Sequence, residues 1–139
     1  MKDLKLKFKS EPIKLGEKKA APVLKNSSPA DAMVASCVTE LMNAATSFHK
    51  LHLKVTGAGS YAAHKALNSL YDDLPGHADD LAEGYQGAAE VLLKYQEPSA
   101  RILETVEDAI WYLKDLKDMI TNLQKSLLKF YLSADHPCR

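Results

Sequence analysis

The chain has 139 residues, 46% of them apolar and 26% charged, with eighteen lysines and arginines against eighteen acids. That length suits one domain with a modest core and excludes two. No run of about 18 apolar residues occurs, so no transmembrane helix is expected, and the basic start MKDLKLKFKSEP lacks the apolar stretch and cleavage site of a signal peptide.

The neutral total hides an asymmetry. Residues 1–26 carry eight lysines against Asp3, Glu11 and Glu17, a net +5, and the remainder carries −5. A basic arm, residues 1–27, is thus joined to an acidic body, residues 28–139. In the arm, Leu4, Lys5, Leu6, Lys7, Phe8 and Lys9 alternate apolar and basic, the period of a strand. One strand alone has no partner for its backbone. Three roles remain open: a solubilising tail, a docking arm that adds to a neighbour's sheet edge, and a tail that neutralises nucleic-acid phosphates. The six alternating residues are the candidate partner-binding set.

The body reads as three helices. The first starts with Ser28 as N-cap, Pro29 at the first helical position and Asp31 at the positive end of the helix dipole. Val34, Val38, Leu41, Ala45, Phe48, His52 and Val55 form its inward stripe, and Gly57 and Gly59 end it. Cys37 falls inside this helix and is expected to be buried. Together with Cys138 it makes no disulfide framework, which suits a cytoplasmic setting.

The second helix is expected from Ser60 to about Tyr95. Its apolar face is Leu67, Leu70, Tyr71, Leu74, Ala78, Leu81 and Tyr85, and a kink or break is expected at Pro75-Gly76. The third helix is expected after Pro98, capped by Ser99, and reaches about Ser133. Leu103, Val106, Ile110, Leu113, Leu116 or Lys117, Ile120, Leu123, Leu127 and Phe130 repeat about every 3.5 residues. Trp111, Tyr112 and Tyr131 lie beside that stripe and extend it into a second contact surface. The fold class is therefore all-α, an antiparallel helical bundle with an extended N-terminal arm.

The candidate site is a metal centre built from His52, His64, Asp79 and Glu83. Imidazoles and carboxylates from facing helices are the donors that bundle metal sites use. His52 belongs to the core stripe of the first helix, whereas His49 and His77 are expected to be exposed. On the second helix His64, Asn68, Asp79 and Glu83 share a polar seam within about 100° of arc. His64 and Asp79 are fifteen residues apart, about 22 Å along a straight helix, so one chain cannot close all four around an ion. The pairs share an ion only across a symmetric subunit interface. Each pair also has a plain structural reading, His52 as a packed core histidine and the acids as a solvated face.

The run HKLHLKVTGAGSYAAHKALNSLYDDLPGHADDLAEGYQ, residues 49–86, resembles the first half of the Dps-type mini-ferritins. The resemblance implies a ferritin-like bundle with iron sites between subunits. His52 and His64 then stand as histidine ligands, and Asp79 and Glu83 as the partner chain's carboxylates. The sequence departs from that pattern at Leu53 (a tryptophan in the family), at Asn68 (an acid in the family), at Pro75-Gly76, and in having no fourth long helix. The words LHLKVTGAGSYAAHKALNSLYDD and AEGYQG also resemble a family of small proteins of T-even-like tailed bacteriophages. That resemblance implies a ferritin-like origin and a viral setting.

No nucleophile with a base, no glycine-rich phosphate loop and no paired-cysteine zinc motif is present, which leaves metal-centred chemistry as the only enzymatic route. The leading expectation is a virion structural or accessory protein, capsid or neck associated and assembled in the host cytoplasm. It would use no cofactor and would dock through the basic arm to other virion proteins or to copies of itself. The alternative is a cytoplasmic Dps-like protein that binds and oxidises iron at an inter-subunit site, and nucleic acid through its arm.

Overall fold

Ser28 and Asp31 start the first helix by exchanging bonds. The Ser28 hydroxyl accepts the Asp31 N–H at 3.1 Å, the Asp31 carboxylate accepts the Ser28 N–H at 3.0 Å, and Pro29 follows the cap. The computed structural model describes residues 28–133. The alternating segment from Leu4 to Lys9, and Cys138, lie outside them. Helix α1 spans Pro29–His52, α2 Ser60–Ala89 and α3 Val106–Leu132, and no strand occurs among the described residues. None of these helices is long and apolar enough to cross a membrane.

Helix α1 is the centre of the packing. Val34, Ala35, Cys37, Val38, Leu41, Ala44, Phe48 and Leu51 are all buried, and they occupy far more of its circumference than one stripe. The reason is that α2 and α3 each pack mainly on α1, with little contact between them. His52 meets His64 at one end of the α1–α2 pair, and Asp31 meets Tyr85 at the other, so the two helices run antiparallel. The expected stripes of α1 and α2 are the ones buried here. Leu67, Leu74, Ala78 and Tyr85 face the core, with Leu70, Tyr71 and Leu81 half-buried at its edge.

Three boundaries differ from the sequence expectation. Helix α1 ends at His52, before the glycines, and Gly57 and Gly59 turn the chain with φ of 89° and 77°. That left-handed backbone suits residues without a Cβ. Helix α2 passes through Pro75 as one element, because Leu74 and Ala78 on either side are buried against α1 and outweigh one missing backbone donor. It then stops at Ala89 instead of continuing to Tyr95. Glu90 takes φ 53°, and residues 91–104 run without helix or strand. Side chains of α1 and α2 satisfy this segment's amides. Leu93 N–H donates to Gln86 Oε1 at 2.9 Å, Gln96 N–H to Thr39 Oγ1 at 3.3 Å, and Ser99 N–H to Asn43 Oδ1 at 2.9 Å. Ser99 is therefore not a helix cap. Thr105 caps α3 in a second capping box with Asp108.

Helix α3 is rotated from its expected orientation. Ala109, Tyr112, Leu116 and Leu123 are buried, while Val106, Ile110 and Ile120 are 36–47% exposed. Tyr112 of α3 and Glu40 of α1 set this rotation through a polar network. Tyr112 donates its hydroxyl to Glu40 Oε1 at 2.9 Å and packs its ring 5.4 Å from that of Phe48. Arg101 covers the other side of the ring at 4.0 Å and forks to Glu40 at 2.9 Å and Asp115 at 2.8 Å. Because these ion pairs are partly exposed, their Coulomb share is small. Replacing Arg101 with alanine is expected to cost about 1 kcal/mol, with Arg101→Lys recovering less than half because an ammonium lacks the planar guanidinium that lies over Tyr112 while its two nitrogens reach Glu40 and Asp115. Thermal unfolding monitored by circular dichroism checks this, and equal midpoints for wild type and Arg101→Ala would show that the network does not hold α3.

Candidate functional site

His52 sits on the last turn of α1 because the apolar stripe of that helix continues through it. His64 comes in from the first turns of α2 across the glycine turn. The two rings stack, with centroids 3.7 Å apart and planes 26° apart. His52 Nδ1 lies 3.1 Å from the His64 carbonyl oxygen. A carbonyl only accepts, so Nδ1 carries the proton and donates it, leaving Nε2 as the lone pair of the neutral ring. His49, which is exposed as expected, stacks on Tyr71 at 4.1 Å, and Tyr71 meets His52 edge-on at 5.1 Å. Three histidines and a tyrosine thus close the α1–α2 turn as a small aromatic cluster.

This arrangement can be tested against a metal. Near-parallel rings at 3.7 Å direct their in-plane lone pairs side by side, so they do not converge on an ion about 2.1 Å from each. Asp79 and Glu83 are exposed about one and two turns past Pro75 and lie far along α2 from the histidines. No group of three or more His, Cys, Asp or Glu side chains among the described residues is placed to hold a metal ion. Within one chain the four candidate ligands therefore do not fit a single ion. Asn68 has a structural task of its own. Its carbonyl accepts the Tyr71 hydroxyl at 2.8 Å, and its amide donates to Asp72 at 2.6 Å, a donation that no carboxylate could make.

Asp79 takes part in something else. It lines a cavity of about 300 Å³ between α1, α2 and the extended segment, with Val38, Met42, Ala82, Tyr95 and Pro98 as the apolar wall. Burial, and then the Asp79 carboxylate, push the Tyr95 phenol above its ordinary range, so it stays neutral. Tyr95 donates its hydroxyl to Gln86 Oε1 at 3.3 Å. The sequence reading missed this cavity because Tyr95, Gln96 and Pro98 on one wall come from the extended segment, most of whose first half was expected to continue α2 to Tyr95. The sequence carries no clear stop signal at Glu90, since Gly84 and Gly87 lie inside α2 and Pro98 comes eight residues later.

A second concavity, also about 300 Å³, opens where α2 and α3 diverge over α1. Leu74 and Leu81 form one wall, Ile120 and Leu127 the other, and Cys37 and Leu41 the floor. Burial, followed by the nearby Glu40, raises the Cys37 thiol above its usual range, so it behaves as a packed apolar group. Elsewhere on α3, Val106, Ile110 and Tyr131 are exposed.

Residues 52–133 match the model of a family described as "Family of unknown function (DUF5856)". That stretch takes in the stacked histidines, Asp79 with the α2 and extended-segment walls of its cavity, and the α2 and α3 walls of the groove, while the α1 residues that line both lie before it. No curated protein and no solved structure matches the chain.

Proposed function

The chain belongs to this family of unknown function, and we propose that it is a structural or accessory component of a tailed-phage virion, built on a ferritin-like scaffold that works by packing against neighbours. The observation that carries this reading is the uncovered apolar surface of α3 beside the groove. Seven of the exposed large apolar side chains belong to that helix, among them Trp111, Leu128 and Leu132. So many exposed large apolar side chains on one helix of a small protein argue for a contact with another macromolecule. The phage-like wording of residues 51–73 supports the viral setting, and the basic arm with Leu4 to Lys9 supplies a second attachment to other virion proteins, to copies of itself or to nucleic acid. Mass spectrometry of purified particles is expected to find the chain at a fixed stoichiometry. Particles that lack it overturn the proposal.

The adjacency of His52 and His64 across two helices leaves one second reading, an iron-oxidising site in which the rings turn out of their stack and Asp79 and Glu83 of another subunit complete the ligand set. In that case the purified protein is a shell-sized assembly containing iron, and His64→Ala or Glu83→Ala abolishes iron oxidation. A monomer that neither binds nor oxidises iron removes this reading and leaves the virion reading intact.

A further inference from the structure

We propose that the cavity between α1, α2 and the extended segment binds an aliphatic ammonium, its charge against Asp79 and its alkyl chain against Val38, Met42 and Ala82. At about 300 Å³ the cavity lies at the small end of ligand pockets and suits a short chain rather than a large ring system. Most of its wall is apolar. Its polar groups differ in what they have free to offer. Thr39 Oγ1 already donates to the Ala35 carbonyl at 2.9 Å and accepts Gln96 N–H, and Asn43 Oδ1 already accepts Ser99 N–H. The Tyr95 hydroxyl is engaged with Gln86.

Asp79 stands apart. It makes no hydrogen bond or ion pair with any described residue, so one unneutralised carboxylate sits on an apolar wall. The complement of that wall is one positive charge on a hydrocarbon body. An anion is repelled, and a neutral alcohol fills the space but leaves the carboxylate unpaired. A free amine and a lysine side chain share this chemistry, and the basic arm with its eight lysines is one source of the second.

The test is an NMR titration of the full chain with n-pentylammonium, 1-pentanol and pentanoate, read at the Met42 and Ala82 methyls. Pentylammonium is expected to bind about tenfold more tightly than pentanol, with pentanoate silent, and Asp79→Asn is expected to remove that tenfold advantage. Asp79 is exposed and free of internal bonds, so this variant keeps its fold, which the unchanged remainder of the spectrum verifies. In a chain whose lysines in residues 1–27 are replaced by glutamine, tighter pentylammonium binding identifies an arm lysine as the ligand, and unchanged binding identifies a free amine. Equal binding of amine and alcohol, no effect of Asp79→Asn, or no shift of the two methyls in either chain overturns the proposal.

Discussion

Replacing Phe48 with alanine is expected to remove about 3–5 kcal/mol of stability, a large share of the roughly 5–15 kcal/mol that a domain of this size holds. Phe48 is fully buried on α1, the helix that packs extensively against both others. Its ring lies against Tyr112 at a tilt of 44°, so truncation opens a void under the tyrosine that fixes α3. Both the lost transfer of the ring and the unfilled space contribute, because α1 is held on two sides and cannot collapse inward. Urea unfolding followed by far-UV circular dichroism measures the loss, with Leu53→Ala, at a 73% exposed site, as a control expected to stay within about 0.5 kcal/mol. A loss below about 1 kcal/mol at Phe48 would mean that α1 is not the centre of the core.

The second large effect belongs to Asp31. Its carboxylate is buried, accepts the Ser28 N–H within the capping box, and accepts the Tyr85 hydroxyl at 2.8 Å. One acid therefore starts α1 and ties it to the end of α2. Asp31→Ala leaves a buried phenol and a helix-end amide without their acceptor, an expected cost of about 2–4 kcal/mol. Asp31→Asn, which keeps the shape and one acceptor oxygen, is expected to cost less than half of that. The same contact predicts alkaline sensitivity. Burial first, and then the hydrogen bond to Asp31, push the Tyr85 phenol up to about 12, so the folded chain favours the protonated form. This contribution is whole below the unfolded phenol's value of about 10 and falls as pH rises from there towards 12. Tyr112 is shifted in the same direction by burial and by Glu40. Denaturation midpoints at pH 9 and 11 are expected to differ, and by less in Tyr85→Phe. Equal drops in the two proteins would disprove the role of this phenol.

Local chemistry made much of the fold legible. Ser28, Pro29 and Asp31 mark a helix start by their own hydrogen-bonding capacity, and the apolar spacing through Val34, Leu41 and Phe48 marks the inward face. The end of α2 was not legible, because the bonds that hold residues 91–104 out of a helix come from Thr39 and Asn43, more than fifty residues earlier. Helix α3 carries apolar residues over a wide arc, so periodicity alone could not choose between Val106 and Ile110 on one side and Tyr112 on the other. Glu40 and Arg101 make that choice. In the candidate site, the approach of His52 to His64 followed from the stripe and the turn, but their stacking did not. Asp79 was visible as an acid on α2, whereas the cavity it lines depends on the misread segment.

The central place of α1 also bears on how the chain emerges during synthesis. Helices α1 and α2 are joined by a seven-residue turn and can pair as soon as both have left the ribosome, since their contacts are local in sequence. The side of α1 that α3 covers, with Phe48 at its middle, then stays open to water until residue 132 has followed. In that interval the nascent hairpin carries a naked apolar flank, and the extended segment of residues 91–104 is the tether that decides how soon the last helix reaches it.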